Sequence, residues 1–408
     1  MTVLDPAMAA QRGASGIRAF SVSEGLLLVE PESLEPLPAG EWAAHSPVAD
    51  GGHRVSAELQ QEQLTVTAPP QTSLADQLAA IRAGREAAAR AAAPVSGRVA
   101  ALGTAPGAVV PHLVDDPRHR RLGEQFGLTV EERLVNGLHV RVEVSCLEEG
   151  VVVLDRLRLW LPALLAISAN SPFWQGQDTG FASYRYQALS RLPASGPTER
   201  FGSTARYERH AGLLRAAGLP QQDPLRYHDA GIVADGTAVE ARIADVCLDP
   251  QDAAVVATLV RALVEVSVRL SVTVHGAVPG LPASILQAWS WVASRYGVED
   301  RLVDPTTGTP APAGDVLARL LDLVRPVLAE YGEEQQVETV VADILRRGTG
   351  ARRQRQAYAA RHEPRDVIAD ALAATHAPEP VLPLGQTGPR DEPSTADGGW
   401  TGGPGNSR

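Results

Sequence analysis

Glu240 and Arg242 stand two residues apart in the alternating segment Thr237–Val246 (TAVEARIADV), so a strand there turns both side chains to one face. A carboxylate beside a guanidinium on one sheet face could hold a metal ion and a phosphate respectively. The same pair also reads as a solvated outer face carrying an exposed ion pair. Three other places set acidic or imidazole groups in or beside apolar, strand-like runs: Glu24, the pair Glu58/Glu62 ahead of QLTVT, and His139. A purely structural strand would not want them. His139 taken alone is more often a satisfied core histidine than a ligand. Cys146 and Cys247 have no His or basic group close in sequence to activate a thiol, so both read as structural.

The elements that must position these residues follow from hydrophobic pattern. Residues 19–30 (AFSVSEGLLLVE) begin with alternation and end in an apolar run, the pattern of a buried strand. Gln63–Thr67 alternates and stops at Pro69-Pro70, which a strand interior does not accept. Ser73 is placed to cap an Ala-rich helix running to about Ala93 and closed by Pro94. Arg98–Leu102, Leu138–Val144 and Thr237–Val246 read as further strands, and 151–168 as one long apolar helix. Helices are expected near 251–273, 284–296, 314–347 and 352–374. The polar, aromatic-rich stretch from about 169 to 205 is too long for a simple connection, and loops of that length are usually functional when they are ordered. Strands and helices interleave without a βαβ rhythm, which points to an α+β fold. Residues 1–16 read as a loose leader, 17–376 as the folded domain, and 377–408, rich in Pro, Gly, Ser, Thr and Asp, as a disordered tail.

Composition narrows the chemistry. The 408 residues carry a net charge of −11, and a nucleic-acid partner needs the opposite balance. All 37 basic side chains are arginine, because the chain contains no lysine; a P-loop lysine, a Schiff base and any catalytic lysine are excluded. Two cysteines are too few for a disulfide scaffold or an all-Cys zinc site. No basic-then-apolar leader opens the sequence, and no run of about 18 apolar residues could span a membrane. The expectation is a cytoplasmic protein of enzyme size with no membrane partner.

The loop SANSPFWQGQDTGFASYRYQ closely resembles the signature loop of the carboxylate–amine ligases related to type 2 bacterial glutamate–cysteine ligase. The resemblance extends through HRRLGEQFGLTVEERLVNGLHVRVEV, LDRLRLWLPALLAISANSPFW, TAVEARIADVC and ILRRGTGARRQRQAYAAR, nearly the whole chain outside its ends. It implies a glutamine-synthetase-like fold: a curved, mainly antiparallel sheet with flanking helices, whose concave face holds ATP, Mg²⁺ and an acid substrate. It implies transfer of the γ-phosphate to a carboxylate, then displacement of phosphate by an amine. Both substrates are small molecules, and the resemblance also raises a homodimer or pairing with an active paralogue.

Residue by residue, the resemblance assigns Glu24, Glu58, His139 and Glu240 to Mg²⁺. It assigns Arg141, Arg242, Asp178 and Ser183 to the nucleotide, makes Arg242 and Arg185 the catalytic residues, and sets Arg185 on the acid substrate's carboxylate. The chain departs from the family's pattern where it matters. Ser23 and Gly25 replace two of three consecutive Glu, and Thr65 replaces a Glu on the next strand. Arg141 replaces the second His of His-Val-His, and Gly231 the Arg of Asp-x-Arg. Such a cup is short of negative charge for two Mg²⁺. A weak ATP-dependent ligase and a degenerate relative kept as a binding or assembly partner are both open at this stage.

Overall fold

Alternation in FSVSEGLLLV builds the central strand, β1 (Phe20–Val29), and decides which residues face the helices. Val22, Leu26 and Leu28 are buried against helix Leu74–Ala92, while Ser21, Ser23 and Gly25 turn the other way. The computed structural model describes residues 16–45, 51–218, 227–273 and 280–376. The expected leader (all but its last residue) and the expected tail lie outside the described residues.

Around β1 assemble β2 (Arg54–Ala57), β3 (Gln63–Thr67), β4 (Arg98–Ala100), β5 (Gly137–Glu143), β8 (Ala230–Ile232) and β9 (Ala238–Asp245), numbering the strands along the chain. Their order is β2-β3-β1-β5-β9-β8, with β4 paired to the far end of β1, and every ladder is antiparallel. Two short hairpins stand apart, β6–β7 (Phe173–Trp174, Gln177–Asp178) and β10–β11 (Arg301–Asp304, Thr309–Pro312). Helices Leu74–Ala92, Leu147–Leu157, Leu161–Ser168 and Pro250–Thr273 cover one face of the sheet, burying Val22, Val140, Val142 and Ile243 with Ile81, Leu154, Leu164 and Val260. Each such aliphatic side chain contributes about 1.5–3 kcal/mol. The opposite face is open around Ser23 and His139, while its far end, Leu27 and Val29, is covered by helix Pro364–Thr375.

Ser73 caps its helix as expected, its Oγ accepting from the Asp76 amide at 3.1 Å. Three expected helices are each two. The run 151–168 breaks between Leu147–Leu157 and Leu161–Ser168, where Pro162 belongs to a new first turn. Positive φ at Gly332 (71°) separates Ala313–Glu330 from Glu334–Arg347, and His362 (58°) followed by Pro364 separates Gly350–Ala359 from Pro364–Thr375. The long loop is ordered: β6 and β7 are joined by Gln175-Gly176, both at positive φ, the two-residue turn whose twist matches a hairpin. Helix Tyr184–Leu189 follows. β2, β8 and the β10–β11 hairpin carry too few residues for pattern to announce them.

Candidate functional site

The open face of the sheet forms a cleft of about 410 Å³. Its floor is set by register. Arg54 lies opposite Thr67, Thr67 opposite Ser23, and Ser23 opposite His139, one continuous row from β2 to β5. A second row pairs Ser21 with Arg141, Arg141 with Glu240 and Glu240 with Gly231. The β5–β9 ladder slips by one residue between Val140↔Ala241 and Leu138↔Ala244, so β9 carries an extra residue opposite His139.

Glu240 sits between two guanidinium groups. Its Oε1 accepts from Arg141 Nε and its Oε2 from Arg242 Nε, both at 2.5 Å. Burial pushes the carboxyl up, but Arg242, His139 and Arg141 together outweigh it and hold it at about 2. Gly231 makes room for this arrangement: a Cβ there would come within 3.0 Å of Arg242 Nη1. In the cleft wall, Asp229 is buried and accepts from Tyr186 Oη at 3.2 Å. Burial pushes its pKa up to about 7, against the smaller opposing pull of Tyr186 and Arg185.

At Ser23 and Gly25 the floor carries no carboxylate. Ser23 Oγ and Thr67 Oγ1 are 2.8 Å apart. Gly25 lies beneath Asn136, whose Oδ1 would be 3.0 Å from a Cβ at position 25. Asn136 is buried and fixed, donating to the Leu102 carbonyl (2.9 Å) and accepting from Gln63 Nε2 (2.9 Å). Five arginines line the cleft (Arg54, Arg133, Arg141, Arg185, Arg242) against three acids (Glu58, Asp229, Glu240).

A model of the glutamate–cysteine ligase family 2 (GCS2) matches residues 26–374. The chain belongs to that family. A Paenarthrobacter aurescens protein named "Putative glutamate--cysteine ligase 2-1" is 42% identical over 372 residues, covering 89% of this chain and 96% of its own length. A Streptomyces coelicolor protein named "Putative glutamate--cysteine ligase 2" is 39% identical over 364 residues, covering 88% and 100%. Among solved structures, a glutamate–cysteine ligase from Francisella tularensis in complex with AMP superposes with TM-score 0.60 at 12% identity, covering 89% of this chain and 90% of that one. A bifunctional glutathione synthetase from Pasteurella multocida gives TM-score 0.64 at 15% identity, covering 88% and 52%. These two likenesses show a shared fold, which is the glutamine-synthetase type: a curved, mainly antiparallel sheet with flanking helices.

Within that family fold, the structure brings His139, Arg141, Glu240 and Arg242 together on the cleft floor, with Glu58 on its rim after β2. It separates the others. Glu24 points through the sheet to the helices, where Arg85 donates Nε (3.0 Å) and Nη2 (2.6 Å) to it, and it does not line the cleft. Glu62 is buried and pairs with His112 at 2.6 Å. Ser183 is buried and donates to Asp245 Oδ1, and it does not line the cleft. Asp178 stands on the exposed β6–β7 hairpin, gripped by Arg355 at 2.7 and 2.8 Å, also outside the cleft. Arg185 borders the cleft, but its Nε is spent on Asp245 (2.8 Å) and its Nη2 on the carbonyls of Arg242, Ile243 and Ala244. That edge of the fork is closed to a substrate carboxylate.

The acids present do not fit Mg²⁺, which needs several oxygen ligands at about 2.0–2.1 Å. Among the described residues no three His, Cys, Asp or Glu side chains are grouped to hold a metal ion. At an effective dielectric near 20, a divalent ion about 5 Å from a guanidinium is repelled by about 7 kcal/mol. Glu240 offers one such attraction against the repulsion of Arg141 and Arg242.

Pattern reading missed Asp229 as a buried acid, and Arg54, Arg133 and Tyr186 as cleft residues. Only Asp229 left a signal, its place in the remnant Asp-x-Arg. No helix among the described residues is long and apolar enough to cross a membrane.

Proposed function

We propose that this chain binds a nucleotide and a small acid in the cleft and joins the acid to an amine through an acyl phosphate, at a rate far below that of a relative with the full set of acids. In that reaction the acid carboxylate attacks the terminal phosphorus, ADP leaves, and the amine displaces phosphate while losing a proton. Arg141 and Arg242 suit the phosphoryl oxygens, since guanidinium forks match them in shape and charge. Asp229, held near pKa 7, is suited to take the proton from the amine.

The observation that carries the low rate is the direction of β1. Its one Glu faces the helices, and Ser23 and Gly25 face the cleft. Losing one preorganised charged group from such a site commonly costs about 10²–10³ in rate; several losses in one site need not multiply. A second reading, a ligase fold kept as a binding or assembly partner of an active paralogue, draws on the locking of Glu240 by two arginines.

The test is a coupled ADP-release assay with glutamate and a panel of amines, run beside Ser23→Glu/Thr65→Glu. Position 25 is left alone because Asn136 occupies the space above it. Slow wild-type turnover that rises in the variant is expected. Wild-type turnover near about 10 per second, typical of enzymes, and unchanged in the variant would overturn the slow-ligase reading. Activity in the variant alone would favour the lapsed partner.

A further inference from the structure

Resting on that reading of the cleft, we infer that it binds a polyphosphate chain directly through Arg141 and Arg242, with no divalent cation between protein and phosphate. Glu240 is the anchor rather than a metal ligand. Each of its oxygens takes one Nε at 2.5 Å, which fixes two guanidinium groups on neighbouring strands. The trio keeps a net positive charge because Glu240, held at about 2, counts as one full negative against two arginines. Arg141 lines the cleft with half of its side chain exposed. The floor beside it supplies hydroxyl and imidazole groups, Ser23 and His139, in one cross-strand row. Fixed cations flanked by hydroxyl and imidazole groups are what a phosphate chain needs when no metal is available to neutralise it.

A second stretch of the cleft lining has different chemistry. Leu59 and Leu192 are buried in one apolar cluster with Leu189 and Tyr227, and the Arg133 guanidinium lies 5.6 Å from the Tyr227 ring centre. All five line the cleft. A ligand with a flat apolar end and a polyanionic end matches both stretches, and a nucleoside polyphosphate has that form. Inorganic polyphosphate shares only the anionic half.

The test is calorimetric titration of the full chain with ATP, tripolyphosphate and AMP, each with excess EDTA and then with excess Mg²⁺. ATP and tripolyphosphate are expected to bind in EDTA at least as tightly as in Mg²⁺, since the metal would mask the charge the arginines read. AMP is expected to bind more weakly than ATP. Arg141→Met should weaken ATP in EDTA at least about tenfold, the scale of one lost charge-assisted contact, and Arg141→Lys should weaken it less. An unchanged circular dichroism spectrum and Tm show that Arg141→Met is folded. Should that variant unfold, loss of tripolyphosphate binding as salt rises carries the same test. Binding that requires Mg²⁺, binding of ATP but not tripolyphosphate in EDTA, or no binding in either buffer would overturn the inference. The turnover assay stands apart from all of these, so slow ligation can hold while direct phosphate recognition fails, and the reverse.

Discussion

On the helix-covered side of β1, Glu24 meets Arg85 in a fully buried, two-pronged pair, and Arg85 also donates to the carbonyls of Cys247 and Leu248. On the cleft side, one residue away in either direction, Ser23 rests on Thr67 and Gly25 on Asn136. One strand thus keeps a charge where packing depends on it and carries none where metal chemistry would use it. β9 repeats the contrast. Asp245, buried, accepts from the Asn170 amide, Ser171, Ser183 and Arg185, tying the signature loop to the sheet. Glu240, five residues earlier, holds two cleft arginines. Because side chains alternate across a strand, fold and chemistry can diverge independently on the same ten residues.

The sharpest way to break the packing half of this comparison is Arg85→Ala. It leaves Glu24 buried without its cation, and removing one member of a buried pair costs about 3–5 kcal/mol. Urea unfolding should show that loss, with much of it regained in Arg85→Met/Glu24→Leu. A loss below about 1 kcal/mol would mean Glu24 is not the structural acid described.

Asp229 gives a smaller, pH-dependent effect. Its folded pKa of about 7 lies above the unfolded value of 3.8, so its contribution is fully present below about pH 4 and is lost as pH rises through 7. Asp229→Asn keeps the acceptor for Tyr186 and removes the charge. Its Tm should match wild type near pH 4 and exceed it by several degrees, on the order of 5 °C, at pH 8. Equal Tm values at both pH values would show that Asp229 is not held near neutrality.

The smallest effect belongs to the Asp178–Arg355 pair, half in solvent on the β6–β7 hairpin. Asp178→Ala should change stability by no more than about 1 kcal/mol and leave ATP affinity unaltered. A loss of ATP affinity would return Asp178 to the nucleotide site.

Much of this arrangement could be seen before the structure. The alternation of FSVSEGLLLV, QLTVT and TAVEARIADV marked β1, β3 and β9, and it already placed Glu240 and Arg242 on one face. The same alternation, applied to Ser23-Glu24-Gly25, separates Glu24 from its two neighbours, but it does not say which face is the cleft. That depends on where helix Leu74–Ala92 lands with Arg85, a contact across 61 residues. Asp178, Ser183 and Arg185 share a signature loop whose sequence does not show that Arg355 and Asp245 claim all three. The helix breaks at Gly332 and His362 did leave a signal, a Gly and a Pro (Pro364) inside polar stretches, which the expectation of single helices passed over. Arg54 and Arg133 reach the cleft from a four-residue edge strand and a loop, where pattern is weakest.

The central claim is that the cleft acids form no divalent-metal site, and electron paramagnetic resonance of added Mn²⁺ tests it most directly. Titrating the full chain without nucleotide should leave the free Mn²⁺ signal undiminished, for wild type and Glu240→Gln alike, while Ser23→Glu/Thr65→Glu should begin to deplete it. Saturable loss of the free signal in wild type, abolished by Glu240→Gln, would contradict the account and make Glu240 a metal ligand after all.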